Sequence, residues 1–497
     1  MKVRKFVKMI FRKRYFIILF LLICNFANAQ NYQAINGSSY AGSLSVCNNP
    51  AAIVHVPYAW DITPLAIQAK HSTNGFTIEN YALLSSPKNA EITLQNGLKK
   101  RFLFASQDIR LLNTRISLNA KAAISFGATI RNYSFVTNSQ TNLQDTTHRF
   151  SDFMKTNINY IPFSGELRSS AWAELYAGYA QTIIDDGDRV LNAGLTLKLN
   201  RAFVGGYANA NDINFVPSQN ANLQTKLLTS GNLQYGYADN LDDIDNNLNG
   251  SERVKKILST GYSGLSADVG FEYLLLTDED KAVGGDYAYN TKIGVSVMDI
   301  GRNKYLYSKR SRLAFGSAPG VTDKLIENKL KGIGNIDQFN DSIAELVNTF
   351  ETLKGAFTIY QPTRIVFNVD QHIVNNFFLN AEITIPVLPL VANNTLHTKD
   401  LNLLAITPRW ELKSIGLYLP ILYNTQKQLW VGGAFKAGPV LLGTHNLANL
   451  FAKNTMQTGG LYIAITIRPG KLYDRNDHYP KGKSTLKGTR NVECPKF

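Results

Sequence analysis

Apolar and polar side chains alternate at every second position through most of this chain. The pattern is clearest in YQPTRIVFNVDQHIVNNFFLNAEITIP, where Ile365, Phe367 and Val369 alternate with Val366, Asn368 and Asp370. After a short polar break, Phe377, Leu379, Ala381, Ile383 and Ile385 alternate with Phe378, Asn380, Glu382 and Thr384. A period of two marks a strand with one face toward an apolar phase and the other toward a polar one. Two such strands, each roughly ten residues long and joined by a tight turn, predict one hairpin of a membrane barrel.

The same pattern recurs along the chain. Strand-like stretches are expected at 58–70, 75–84, 92–104, 108–118 and 121–135, then at 169–183, 188–199, 202–216 and 222–237. Nine more follow, at 264–276, 285–299, 361–371, 374–387, 399–413, 415–424, 427–437, 439–446 and 458–468. Long polar loops fill 136–168 and 238–263. In a barrel of this kind long loops face outward, while short turns and both termini lie in the periplasm. Four strands between the two long loops, and nine after the second, satisfy that parity. It requires 304–315 (KYLYSKRSRLAF) to belong to an outer excursion or a lumen segment. The expected fold is therefore all-β, a transmembrane antiparallel β-barrel of about 16 strands, within 14–18.

Two stretches depart from the alternation. Residues 30–57 are rich in Ser, Asn and Gly, and read as an N-terminal periplasmic or plug-like segment. In 321–354, Ile343, Leu346, Val347, Phe350 and Leu353 recur at helical spacing after Thr322 and Asp323, which suit a helix start. This predicts a helical insertion in the lumen or over the mouth, its apolar stripe packed on the barrel wall.

The address is set by the first residues. Lys2, Arg4, Lys5, Lys8, Arg12, Lys13 and Arg14 precede an apolar run from Tyr15 to Ile23, and Ala27-Asn28-Ala29 fits a cleavage site before Gln30. The expected organisation is a signal peptide at 1–29 cut between Ala29 and Gln30, the segment 30–57, an outer-membrane barrel over 58–470 and a basic periplasmic tail at 471–497. Beyond the leader no apolar run approaches the ~20 residues of a spanning helix. Removing the seven basic residues of the leader takes the formal charge from +15 to +8, and the stretch from Arg468 onward holds +5 of that. A body near +3 does not suggest a nucleic-acid surface. The tail reads as a solvated extension, or as a contact for an anionic or protein partner. The content of 24 Tyr and 26 Phe suits aromatic girdles at two interfaces.

Cys47 and Cys494 remain after export, one near each end. They are either a disulfide, as an oxidising compartment permits, or two unrelated thiols. Catalytic and metal motifs fail on inspection. Asp245, Asn247, Asn249 and Gly250 imitate a calcium loop whose twelfth position is Lys256 rather than Glu. GKST at 482–485 has Asp477 in place of the first glycine of a phosphate loop. His55, His71, His148, His372, His397, His445 and His478 are scattered without a telling neighbour. No enzyme activity and no cofactor are expected.

Several stretches together (LKLNRAFVGGYANANDINF, GYSGLSADVGFEYLL, TKIGVSVMDIGRNKY, QPTRIVFNVDQHIVNNFFLNAEITIP and TPRWELKSIGLYLPILYN) resemble a Bacteroidota family of outer-membrane β-barrels of unknown function. That family is distantly similar to long-chain fatty-acid transporters and to barrels associated with type IX secretion. Asn49-Pro50-Ala51 is similar to the NPA tripeptide of the transporter group, where it belongs to an N-terminal segment entering the lumen. The resemblance implies a gate or plug at Asn49, Pro50 and Ala51. It also implies a plugged channel or transporter for a hydrophobic or small solute in the cell outer membrane. The other reading is a non-catalytic scaffold for secretion or surface assembly. Expected partners are outer-membrane lipid, a hydrophobic ligand and a periplasmic or surface protein. Some relatives continue into calcium repeats, of which YDRNDHYPKGKSTLKGTRNVECPKF looks like a remnant.

Overall fold

The structure is a computed structural model that describes residues 33–469, apart from 83, 84, 87, 89, 144–152, 154, 155, 158–161, 219–224, 243–251, 253, 254, 257, 258, 260, 277–288, 388–394, 400–402, 425 and 452–455. The expected signal peptide with Ala29 and Gln30, the basic tail with Cys494, the calcium-like loop start at 245–250, the GKST stretch, His148 and His478 all lie outside the described residues.

Fourteen strands pair antiparallel in chain order and the last returns to the first, closing a barrel. They are β1 (Trp60–Thr73), β2 (Lys99–Asn119), β3 (Ala122–Thr141), β4 (Phe163–Asp185), β5 (Arg189–Pro217), β6 (Tyr262–Leu275), β7 (Thr291–Leu306), β8 (Arg364–Val374), β9 (Phe377–Pro386) and β10 (Leu403–Glu411). The circuit continues through β11 (Ile415–Tyr418 and Ile421–Asn424), β12 (Leu429–Val431 and Gly433–Ala437), β13 (Val440–Thr444) and β14 (Thr458–Ile467). Closure is the β14–β1 ladder, in which Ala66 pairs with Ala464 and Gln68 with Tyr462. Pairing every backbone donor and acceptor in a closed ring is what lets strands cross hydrocarbon.

The alternation lands as the sequence predicts. In the β8–β9 hairpin Ile365, Phe367, Leu379, Ile383 and Ile385 point outward and are 37–43% exposed, whereas Val366, Asp370, Asn380 and Glu382 are buried. Asn375 makes the tight turn at φ +51°, a conformation that asparagine tolerates better than most residues. Leu195, Leu197, Leu199, Leu265, Val269 and Phe271 continue the apolar exterior across β5 and β6.

The strand number corrects the expected 16. Against that number both surplus strands arise between 188 and 237; among the eighteen stretches listed, 92–104 and 108–118 also merge into one strand, β2, and 75–84 yields only Phe76–Glu79, paired with Glu91–Leu94 in a separate hairpin. The stretches 188–199 and 202–216 are one 29-residue strand, β5, running straight through Asn200-Arg201. Its lower half pairs with β6. Its upper half pairs with Lys226–Tyr237, which therefore never crosses the barrel. Dropping two strands leaves the parity intact, so the orientation argument holds at the lower number. Five links at one end of the barrel (120–121, 186–188, 375–376, 412–414 and 438–439) have two or three residues, the end that the outer-membrane expectation assigns to the periplasm.

At the other end the sheet rises into an outer extension. Lys226–Tyr237 pairs with Arg312–Phe315, which pairs with Thr349–Thr352. The top of β7 pairs with Ala356–Tyr360. Residues 304–315 thus split between the top of β7 and this excursion. Helices α1 (Asp323–Leu330) and α2 (Ile336–Ala344) cap the extension, and Thr322 Oγ1 accepts from Leu325 N at 3.1 Å as the start signal suggested. The predicted helical stripe is shorter than expected: Phe350 belongs to the strand Thr349–Thr352. Ile343 and Leu346 pack with Phe215, Ala314, Val321 and Ile326, forming a small core above the barrel instead of lying in its lumen.

Leu197, 59% exposed at the middle of the outward face of β5, tests the exterior. Leu197→Arg is expected to cost about 2–4 kcal/mol in urea titration of the protein folded in lipid vesicles. A cost no larger than that of Leu197→Ala would show that this face does not meet lipid.

Candidate functional site: the occupied lumen

Residues 33–58 reach the inward side of strands all round the ring, which only a segment inside the cylinder can do. Ser43 N donates to Asp61 of β1 at 2.6 Å, and Arg115 of β2 donates to the carbonyls of Ile53 (2.6 Å) and Tyr58 (2.7 Å). Lys292 of β7 donates to Gly37 O at 2.9 Å. Asn36 Nδ2 donates to Glu382 of β9 at 2.7 Å, and Ser38 Oγ to Glu411 of β10 at 2.6 Å. Lys436 of β12 lies 4.7 Å from the Tyr40 ring centroid. Three short 3₁₀ turns, Gln33–Ile35, Gly42–Cys47 and Pro50–Ile53, fold the segment compactly. Its apolar side chains Ile35, Leu44, Val46 and Ile53 share a core with Ala66, Ala123, Ala180 and Tyr462 of the wall. Small alanines on the wall leave the room that the segment fills.

Asn49, Pro50 and Ala51 sit on a floor made of three glycines on adjacent strands, Gly194, Gly270 and Gly294. A Cβ at Gly194 would come within 2.5 Å of Ala51 N and of Pro50 C; one at Gly270 would lie 2.1 Å from Asn49 Oδ1 and one at Gly294 2.9 Å from Asn49 Nδ2. Only glycine allows this approach of backbone to wall. Asn49 caps the turn that follows, its Oδ1 accepting from Ala51 N at 2.9 Å. Its Nδ2 donates to the carbonyl of Phe271 on β6 at 2.8 Å. Proline is well suited to the first turn position, where no backbone N–H is required.

Charged side chains knit the rest of the lumen. Asp299 of β7 is the hub of one cluster: it accepts from Arg131 of β3 at 3.0 Å, from Lys198 of β5 at 2.7 Å and from Arg364 of β8. Asp108 of β2 lies 3.1 Å from Arg131, and Asp268 of β6 lies 2.8 Å from Lys198. A bulge puts Asp299 there. Its φ is +59° and the β6–β7 register shifts between Val297 and Ile300. Below it Lys292, Ser296 and Met298 face inward; above it Asn303 and Tyr305 do. One extra residue thus switches the inward set from even to odd positions. A second cluster joins Asp370 of β8, Arg409 and Glu411 of β10 and Lys436 of β12. Arg409 donates to Asp370 at 3.0 Å, and Lys436 lies 3.2 Å from Glu411. Buried charges of this kind are tolerable only when paired and hydrogen-bonded.

The segment's own titratable groups are suppressed by this setting. Burial, with the Glu411 carboxylate adding to it, pushes the Tyr40 hydroxyl up to about 12. Burial also pushes the Cys47 thiol up, which makes it a poor nucleophile. Two spaces in mid-barrel are small. One of about 30 Å³ lies beside Asn36, Asn48 and Glu382, and one of about 10 Å³ beside Cys47 and Asp299. At the outer end a cavity of about 690 Å³ is lined by Lys100, Glu166, Arg168, Asn209, His397 and Lys399 among others. Among the described residues there is no grouping of His, Cys, Asp and Glu that suits a metal ion.

The sequence singled out Asn49, Pro50 and Ala51, and the structure brings them together with Cys47 in the lumen. The charge clusters went unnoticed because no local spacing marks them. Their signal is distributed: one or two ionisable residues on the polar face of each strand, as with Asp108 and Arg110, Lys198, Asp268, or Arg409 and Glu411.

Asp299→Ala would leave Arg131, Lys198 and Arg364 without the carboxylate they share. The expected loss is about 3–5 kcal/mol, read as a lower temperature at which the unheated compact gel band disappears. Gly194→Ala places a methyl group against backbone that cannot swing aside, a strain of about 1–3 kcal/mol. In a Cys494→Ser background it should speed maleimide labelling of Cys47 roughly five- to a hundredfold, since local opening gains population by that factor. Unchanged labelling would show that this contact does not hold the segment.

No curated protein matches this chain. Among solved structures, a FadL homologue of Pseudomonas aeruginosa is 10% identical over 89% of this chain and 98% of its own, with a TM-score of 0.39. The toluene transporter TbuX of Ralstonia pickettii is 10% identical over 86% and 94%, with a TM-score of 0.38. A mutant of the monoaromatic hydrocarbon channel TodX is 11% identical over 89% and 98%, with a TM-score of 0.36. A family of unknown function (DUF5723) matches over residues 50–445, from the proline on the glycine floor to the first residue after β13, and the chain belongs to that family.

Proposed function

We propose that this protein is a plugged outer-membrane channel or transporter, in which residues 33–58 form the plug and Asn49-Pro50-Ala51 its latch to the wall. The carrying observation is that the mid-lumen is filled by a segment held through side chains and hydrogen bonds, with wall glycines making room for it. Such a segment leaves by breaking polar contacts that water replaces, a smaller obstacle than unzipping a strand. The solute is small or hydrophobic. It first meets the 690 Å³ outer vestibule and crosses only when the plug shifts.

A scaffold for secretion or surface assembly is the second reading. It is favoured by the outer extension, whose helices and strands pack round their own core above the barrel. Deletion of 33–56 separates the two. Planar bilayers should show a steady conductance for the deleted protein and rare openings for the intact one. Equal conductance for both would sink the channel reading. A stoichiometric protein partner retained by a silent, deleted barrel would establish the scaffold in its place.

A further inference from the structure

The lumen does not use all of the charges on these strands. Arg302 and Lys304 of β7 alternate with Asn303 and Tyr305, which are 1% and 0% exposed. Those two inward residues are committed to the interior through Ser170, at 3.1 Å from Asn303 Nδ2 and 2.7 Å from the Tyr305 hydroxyl. Arg302 and Lys304 therefore point away from the barrel, and both are exposed. Two strands along, half-buried Arg201 of β5 also points outward, paired across the ladder with Ser263 of β6, within 3.3 Å of its hydroxyl and donating to the Ser259 carbonyl at 2.7 Å. The β6–β7 register ends with Gly301 opposite Ser266. Continued antiparallel, it brings Arg302 level with Leu265 and Lys304 level with Ser263. Lys304 stands roughly 7 Å from Arg302 along β7 and roughly 10 Å from Arg201 across β6, with Arg201 and Arg302 roughly 12 Å apart.

Their height is the informative part. On the same outward face Leu195 and Leu197 of β5 and Ile300 of β7 lie immediately toward the periplasm, Leu199 and Leu265 lie level with Arg302, and Leu306 lies one outward position beyond Lys304, all 42–69% exposed. Along β5, the outward positions from Leu191 to Leu199 span roughly 27 Å of strand, about the height of a tilted apolar band. Arg201 is the next outward residue after that band ends. On the outer-membrane reading the cations stand at the upper edge of this band, near the level of the outer-leaflet headgroups. Among the described residues no carboxylate forms an ion pair with Arg302 or Lys304.

We propose that Arg201, Arg302 and Lys304, with the Ser263 hydroxyl, bind the phosphate-bearing headgroup of an outer-leaflet glycolipid. The acyl chains of that lipid lie on Leu199, Leu265 and Ile300. Guanidinium forks and an ammonium match phosphate oxygens, and the apolar strip beside and beneath them matches the chains, so one amphiphile meets both surfaces. The inference rests on the outer-membrane reading and is independent of the plug.

The test uses the full chain purified in detergent and freed of lipid, then offered diphosphorylated lipid A or the same lipid with its phosphates removed, with retention read by native mass spectrometry. The wild type should hold the phosphorylated lipid roughly tenfold or more tightly than the dephosphorylated one, and R201E/R302E/K304E should lose that preference. An unheated, compact gel band for the variant shows that it is still a barrel. Should the variant fail to fold, the single exchanges R302Q and K304Q, each expected to weaken retention, decide in its place. Equal retention of the two lipids by the wild type, or full preference in folded variants, overturns the proposal. Failure of the wild type to enter lipid vesicles at all would instead overturn the membrane reading beneath it.

Discussion

A ring of fourteen strands encloses more room than its own inward side chains fill, since about eight strands already give an interior that side chains can pack. Everything inside this protein answers to that constraint. Water alone would leave the inward charges solvated and the barrel open. This chain instead folds residues 33–58 into the space, and the wall is shaped to receive them. Alanines give way to Ile35, Leu44 and Ile53, and glycines give way to Asn49-Pro50. The filling then takes the place of water, so each remaining charge needs a partner. Asp299 supplies a partner to cations on three other strands, and Asp370 and Glu411 do so across β8, β10 and β12.

This makes the molecule a protein with two environments of opposite sign separated by one strand's thickness. Outside, leucine and isoleucine meet an apolar phase; inside, buried ion pairs and an apolar patch around residues 33–58 meet each other. The bulge at Asp299 shows how tightly the two are coupled. Without the extra residue the upper half of β7 would be inside out, with Arg302 and Lys304 in the lumen and Tyr305 outside.

Much of the architecture was legible in the sequence because a period of two is a local signal. The β8–β9 hairpin and the nine strands after residue 262 follow from it directly, whereas the stretch 304–315, read as lying wholly outside the spanning strands, in fact gives its first three residues to β7. The strand number was less legible between 188 and 237. There Asn200-Arg201 reads as a turn, yet in the structure Asn200 faces the lumen and Arg201 the exterior of one unbroken strand. Alternation reports which residues face two phases, and says nothing about whether a strand stops within the membrane or continues beyond it. The ion clusters were illegible for a different reason. Asp299 and Arg131 are 168 positions apart, and pairings at such separation become visible only when the ring is closed.

The same long separations have a consequence for how the chain assembles. Asn36 ends up bonded to Glu382, Ser38 to Glu411 and Tyr40 to Arg468, partners that leave the ribosome hundreds of residues later. Residues 33–58 therefore cannot reach their final place until the last strands have been laid down. Loop-closure cost makes such contacts slow to form. Until β14 meets β1, residues 33–58 and the unpaired lumen charges stay in water, where they keep the nascent sheet soluble on one face. Sealing the ring, docking residues 33–58 and drying its interior are in this protein one late and cooperative event.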